Sequence, residues 1–405
     1  MARLSFCVVV ALATSLCGLA GAAPVDEPYV VKTVRNPNYK VDGRAEYAKA
    51  LSKWGVKLPN GLAQHVSSKP QVGTVSAETQ GGDREYLTPI GIGTPPQTIL
   101  LDLDTGSADF WVYSSETNPD ILGNRSRWDP KSSTTAQPIP NSSWSIQYGD
   151  GSTARGHAWK DTISVGGINI PNAVVESALS VSDSMATDAE MGGIFGLAIG
   201  LGSEVYPVQP TVLKKLSPLL KHKVFAADLQ YHADGTYQFG AVDGNKFKGN
   251  LHWTPLIDDA QYWQFNFSVF NIQGSDIWYW YNWSGIADTG STLLMLDDDV
   301  VAFYYDGVEG AAYNKSYGLW TYPCDTKLPD FHLGLGDGHG NWTARIPGRY
   351  LNYTVYETEG WECMGGLQGN AGASFSIFGD VFLKAFYAVF DIGGKRVGFA
   401  DKHLN

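Results

Sequence analysis

Two stretches decide the fold: Thr98 to Ser107, TILLDLDTGS, and Ile286 to Ser291, IADTGS. Each is the end of an apolar run that passes directly into Asp-Thr-Gly-Ser. Each is followed at nearly equal distance by Ile-Phe-Gly, with Gly196 lying 92 residues after Asp104 and Gly379 lying 91 after Asp288. A chain that repeats both a motif and its spacing is built as two lobes of one design. Each lobe then offers one carboxylate.

A buried strand has little reason to end in an acid, because an unpaired charge taken out of water costs several kcal/mol. Asp-Thr-Gly supplies a remedy. Glycine lets the backbone turn tightly and approach closely, and the Thr and Ser hydroxyls can donate to a carboxylate. Two such loops set face to face bring Asp104 and Asp288 together. Both cannot then ionise easily, so one proton is held between them and the pair titrates as a unit. The ionised member can take a proton from a water, while the protonated member donates to the oxygen of a scissile carbonyl.

Outward from these loops the chain reads as strands. Tyr86 to Gly93 alternates and stops at Thr94-Pro95-Pro96, and short strands recur to the end between Gly, Pro, Asn and Asp turns. Helix signals are few. Gln209 to Leu220 predicts one short helix, and Asp297-Asp298-Asp299 before Val300 to Tyr305 predicts another. The expected class is all-β and bilobal, with a central cleft. Asp102, on the strand of Asp104, reads as structural.

The first 75 residues differ. Leu4 to Leu19 is apolar, follows Arg3 and precedes Ala20-Gly21-Ala22-Ala23, the parts of a secretory signal over residues 1–22. Residues 24–75 carry eight Lys/Arg against four Asp/Glu, whereas 76–405 carry 20 against 37, in a chain of net charge −12. A basic leader joined to an acidic body predicts mutual attraction. Ala45 to Trp54 predicts a helix, and Ser67 to Gln80 a linker. The expected organisation is a signal at 1–22, a propeptide at 23–75, a first lobe at 76–255 and a second at 256–405.

Cys7 and Cys17 fall in the signal, which leaves Cys324 and Cys363 to pair in an oxidising compartment. Seven Asn-x-Ser/Thr sequons, at Asn124, Asn141, Asn266, Asn282, Asn314, Asn341 and Asn352, fit the same route. The charge pattern does not resemble a nucleic-acid binder. The eight histidines show no metal-ligand spacing, so neither metal nor cofactor is expected, and no later stretch is long enough for a membrane anchor.

The sequence resembles the pepsin family of aspartic proteases, and within it the secreted fungal aspergillopepsin, penicillopepsin and endothiapepsin group. The likeness rests on Asp104 to Val112 (DTGSADFWV), Ile286 to Leu294 (IADTGSTLL) and Phe375 to Ala400 (FSIFGDVFLKAFYAVFDIGGKRVGFA). Proton sharing between paired acids is the established behaviour of aspartic proteases as a class. The resemblance implies an exported, monomeric endopeptidase that binds extended polypeptides and pepstatin-like inhibitors. It prefers bulky apolar residues at the cut and works in acid.

The resemblance also assigns roles. Ser107 and Ser291 hydrogen-bond the acids, and Thr105 and Thr289 brace the loops that Gly106 and Gly290 turn. A flap over Trp144 to Gly156 carries Tyr148, Gly149, Asp150 and Ser152, with Tyr148 bonded to Trp111. Asp150 would accept Lys before the scissile bond. Lys53, beside Trp54, resembles the cap that a propeptide places on the two acids, with Lys40 and Lys57 as competing candidates. The alternative reading is a silent binding protein on the same fold, but such relatives usually lose an Asp, a Gly or the flap Tyr. A vacuolar home is the alternative to export, although vacuolar relatives generally carry two disulfides.

Overall fold

The computed structural model describes residues 28–35, 41–67, 86–123, 125–147, 153–182, 190–275, 278–335, 342–357 and 361–404. Strands dominate them, in sheets of nine, six, seven and four.

The repeat seen in the sequence is a repeat of strand pairing. Gln97–Asp104 runs parallel to Gly193–Gly196, with Gly196 opposite Asp104. Tyr279–Ala287 runs parallel to Ser376–Phe378, with Ala287 opposite Phe378. In each lobe that Ile-Phe strand next pairs antiparallel, with Phe110–Tyr113 in the first and Leu294–Leu296 in the second. Each of those then pairs parallel with a further strand, Ile168–Val181 or Leu367–Gly369. Both acids therefore leave the end of a strand that has neighbours on both sides. Leu101 and Leu103 leave no exposed surface, and neither do Ile286 and Ala287, so each loop is anchored by buried side chains.

A six-stranded sheet joins the two halves. Val224–Gln230 pairs antiparallel with Phe386–Asp391, with Phe225 and Phe390 stacked at 4.6 Å. The sheet also takes in residues from before the body. Its edge strand is Tyr29–Lys32, from the leader, paired with Ala233–Phe239. The first strand of the body, Tyr86–Ile92, lies in the nine-stranded sheet beside the leader's Val34–Arg35. Val31, on the leader's edge strand, is buried.

Helices are short. Gly43–Lys53 is capped by Asp42, whose carboxylate accepts from the amides of Arg44 and Ala45. A second leader helix, Asn60–Ser67, was not expected. Pro59 and Gly61 disguise it, yet Leu62 is fully buried and gives it an inner face. Gln209 to Leu220 contains Val212–Leu216 and a 3₁₀ turn, Ser217–Leu219. Asp298–Asp306 begins at Asp297, which accepts from the Asp299 amide. No helix is long and apolar enough to cross a membrane among the described residues. Cys324 and Cys363 form a disulfide with Cα atoms 4.9 Å apart.

Candidate active site

The two Asp-Thr-Gly-Ser loops meet. The Thr105 hydroxyl donates to the Ala287 carbonyl at 2.8 Å, and the Thr289 hydroxyl donates to the Leu103 carbonyl. The Thr105 amide donates to the Thr289 hydroxyl at 3.1 Å, and the Thr289 amide to the Thr105 hydroxyl at 3.0 Å. Each threonine thus reaches across to the strand that precedes the other acid. These bonds are buried, where satisfied polar networks hold geometry most firmly.

The glycines explain the closeness. A Cβ on Gly106 would lie 2.5 Å from an Asp288 carboxylate oxygen, and one on Gly290 would lie 2.3 Å from an Asp104 oxygen. No other residue fits at either position without moving the acid opposite. Each glycine amide also serves its own loop. Gly106 donates to Asp104 Oδ1 at 2.8 Å, and Gly290 donates to Asp288 Oδ1 at 3.1 Å.

Both acids are buried, and one cation spans them. Lys53 Nζ lies 2.9 Å from Asp104 Oδ1, 3.1 Å from Asp288 Oδ1 and 3.0 Å from Asp288 Oδ2. Burial alone would push the ammonium's pKa down, but the two carboxylates hold it above its ordinary value. For Asp104, burial is overcome by the charge and hydrogen bond of Lys53, so its pKa is lowered. For Asp288, burial and the charge of Asp104 prevail over Lys53, and its pKa is raised. Lys53 is the last residue of the helix that Asp42 caps. Of the two other lysines considered as caps, Lys57 is exposed beyond the helix, and Lys40 lies outside the described residues.

The serines behave unequally. Ser291 Oγ donates to Asp288 Oδ2 at 2.5 Å. The Ser107 hydroxyl also favours the ionised Asp104, but it is buried without closing a hydrogen bond of normal geometry. The expectation that both serines bond their acids thus holds in closed form for Ser291 alone. Asp102, read as structural, is buried on the strand of Asp104. Burial, and then the neighbouring charge of Asp104, push its pKa up to about 7, against the opposing charges of Lys49 and Lys53. The signal was its two-residue spacing from Asp104 on one strand.

The leader adds contacts that the sequence did not announce. Trp54 meets Tyr262 edge-on at 5.0 Å and Phe375 at 5.2 Å. The Thr292 hydroxyl, next to the second loop, donates to Glu46 at 3.2 Å. The Tyr47 hydroxyl is shared between the carbonyls of Gly369, at 2.8 Å, and Gly318, at 3.1 Å. Arg44 lies over the rings of Tyr356 and Tyr317.

Trp111 is fully buried between Tyr113 and Trp144, at 5.4 and 6.4 Å. The flap arms, Trp144–Gln147 and Thr153–Val165, pair antiparallel, whereas Tyr148, Gly149, Asp150 and Ser152 lie outside the described residues. Among the sequons, Asn141, Asn266 and Asn352 are exposed. Asn314 is half-buried, with its amide donating to the Tyr356 hydroxyl. Asn124 and Asn341 lie outside the described residues, as does the side chain of Asn282. Among the described residues, no group of three or more His, Cys, Asp or Glu is placed to hold a metal ion.

Residues 85–402 match the family model described as eukaryotic aspartyl protease. The chain is 40% identical over 404 residues to aspergillopepsin-1 of Aspergillus fumigatus, covering 98% of this chain and 99% of that protein. It is 39% identical over 383 residues to endothiapepsin of Cryphonectria parasitica, covering 92% and 90%. It is 40% identical over 356 residues to penicillopepsin-1 of Talaromyces stipitatus, covering 88% of each.

Proposed function

Because this chain belongs to the eukaryotic aspartyl protease family and is an aspartic endopeptidase, we propose that Asp104 and Asp288 are its catalytic pair and Lys53 its built-in inhibitor. One observation carries the reading: a single ammonium nitrogen touches carboxylate oxygens of both acids. An ammonium and a water are of similar size. Once Lys53 leaves, a water in its place can be held by both carboxyls. The ionised acid takes its proton as it attacks the peptide carbonyl, and the protonated acid donates to the carbonyl oxygen. The proton later passes to the departing amine. No covalent link to the enzyme is formed.

The direction of acid activation follows from the Asp104 shift. Asp288, raised, takes a proton first as pH falls. Asp104, lowered in the leader-bound state, keeps its charge longest. Its ion pair favours the bound leader above the ordinary carboxylate range, and that favour is lost as pH falls through its lowered pKa. Lys53, raised, stays charged across this window, so the Asp104 carboxylate controls release. The freed cleft takes an extended polypeptide, with a preference for bulky apolar residues. The aromatic pair Tyr262 and Phe375 around Trp54 supports that preference.

Acid incubation of the purified full chain tests the proposal. Loss of residues up to about 75 and appearance of casein cleavage are expected, and neither is expected in Asp104→Asn. Equal cleavage by that variant would refute the assignment of the acids.

A further inference from the structure

Shortly after Asp104 the chain buries another acid, Asp109, and Glu176 joins it from the strand Ile168–Val181; they are 7% and 2% exposed. Asp109 belongs to the frame that holds the Asp104 loop. Three backbone bonds tie that loop to the Ile-Phe-Gly strand and the residues after it. Leu197 donates to the Asp104 carbonyl at 2.7 Å, Ala198 to that of Ser107 at 2.8 Å, and Gly196 to that of Asp109 at 3.0 Å. A Cβ on Gly196 would lie 2.7 Å from the Asp109 backbone, so the two segments are in close contact.

The Asp109 side chain accepts from the Glu204 amide at 2.8 Å, and Glu176 Oε1 accepts from the Ser203 hydroxyl at 3.4 Å. The two carboxyls also hydrogen-bond each other. Such a bond needs a proton, because ionised carboxylates only accept. Among the described residues no N–H or O–H reaches the buried Glu176 Oε2, which makes it the atom placed to carry that proton.

No cation offsets the pair. Among the described residues neither carboxyl has an ion pair, and the charge acting on Glu176 is that of Asp109. Lys160 pairs with Val174, two residues along the same face, and is only half-buried. Arg125 donates to the Ile121 carbonyl and lies over Tyr113. His157 is bonded to Glu116, and the Glu204 side chain is exposed. Burial, and then the charge of Asp109, push the Glu176 pKa well up, and burial pushes that of Asp109 up. A carboxyl held neutral in this way supports the fold in acid, and the support is lost as pH rises through the raised value.

We propose that Asp109 and Glu176 are positioning residues that share a second proton, and that its loss as the medium turns from acid frees the Asp104 loop and shuts the enzyme off. The inference rests on the reading of Asp104 as catalytic.

The test uses the leader-free enzyme obtained by acid treatment of the full chain. It is held at each pH of a rising series and returned to acid. Casein cleavage is then expressed against the same protein never taken out of acid, so titration of the catalytic pair drops out. Glu176→Gln donates to Asp109 with no proton to lose, and should move the midpoint of inactivation up by at least about one pH unit. Asp109→Asn should do the same from the other side. Glu204→Gln, which removes an exposed charge nearby, should leave the midpoint in place. In the parent, hydrogen exchange of the Gly196 to Glu204 amides should rise beyond its intrinsic increase over the same window. Unmoved midpoints in Glu176→Gln and Asp109→Asn would overturn this proposal alone, as would an equal shift in Glu204→Gln. Amides that stay protected while the parent inactivates would overturn it even if neither variant accumulates. No cleavage by the parent at any pH would overturn the reading of Asp104 as well.

Discussion

The loops at Asp104 and Asp288 share the same four residues and the same glycine hydrogen bond, yet they hold their acids in different states. Ser291 closes on Asp288 at 2.5 Å, while Ser107 favours the ionised Asp104 without closing a bond of normal geometry. Asp104 is pulled toward ionisation and Asp288 is pushed away from it. Local sequence therefore sets where each carboxylate points, and its surroundings set how readily it gives up a proton. Both acids are buried beside Lys53; at Asp104 the charge and hydrogen bond of Lys53 overcome burial, whereas at Asp288 burial and the charge of Asp104 prevail over Lys53 and over the bond from Ser291.

The largest effect expected from disturbing this comparison comes at the glycines. Gly290→Ala sets a methyl 2.3 Å from an Asp104 oxygen, and Gly106→Ala sets one 2.5 Å from Asp288. Either shift should cost at least about 100-fold in kcat/KM on a peptide substrate. A normal circular dichroism spectrum should accompany the loss. Full activity in either variant would mean that the loops do not meet as described.

Lys53→Ala should act next most strongly. It leaves two acids buried together without their cation, a change of about 3–5 kcal/mol against the bound leader. Leader loss, followed by gel at fixed time across a pH series, should then occur at higher pH than in the parent. An unchanged series would remove Lys53 from the inhibitory role.

The serines give the smallest and most discriminating effect. Ser291→Ala removes a closed bond to a charged group, worth about 1.5–3 kcal/mol, and should lower kcat/KM about tenfold. Ser107→Ala removes only a hydroxyl that closes no bond of normal geometry and should cost clearly less. Equal losses would mean that the two loops become alike once the leader departs.

Much of this was legible because it is periodic or local. The repeat of Asp-Thr-Gly-Ser and Ile-Phe-Gly names the strands that pair in each lobe, and Lys53 stood out through the resemblance of Lys53-Trp54 to a propeptide cap, beside Lys40 and Lys57. What stayed hidden depends on distant partners. Nothing near Trp54 points to Tyr262 or Phe375, more than 200 positions away. The leader's place at the edge of the shared sheet shows only in the pairing of Tyr29–Lys32 with Ala233–Phe239. Asp102 looked inert because its raised pKa comes from burial and from Asp104, and neither is visible until the strand is packed.

The pH dependence of kcat/KM for the leader-free enzyme tests the shared proton most directly. Two interacting carboxyls predict a bell in the acid range, with one limb where the ionised acid gains a proton and the other where the shared proton departs. A profile governed by one titrating group, or a rate that holds level from acid to neutral, would contradict the account.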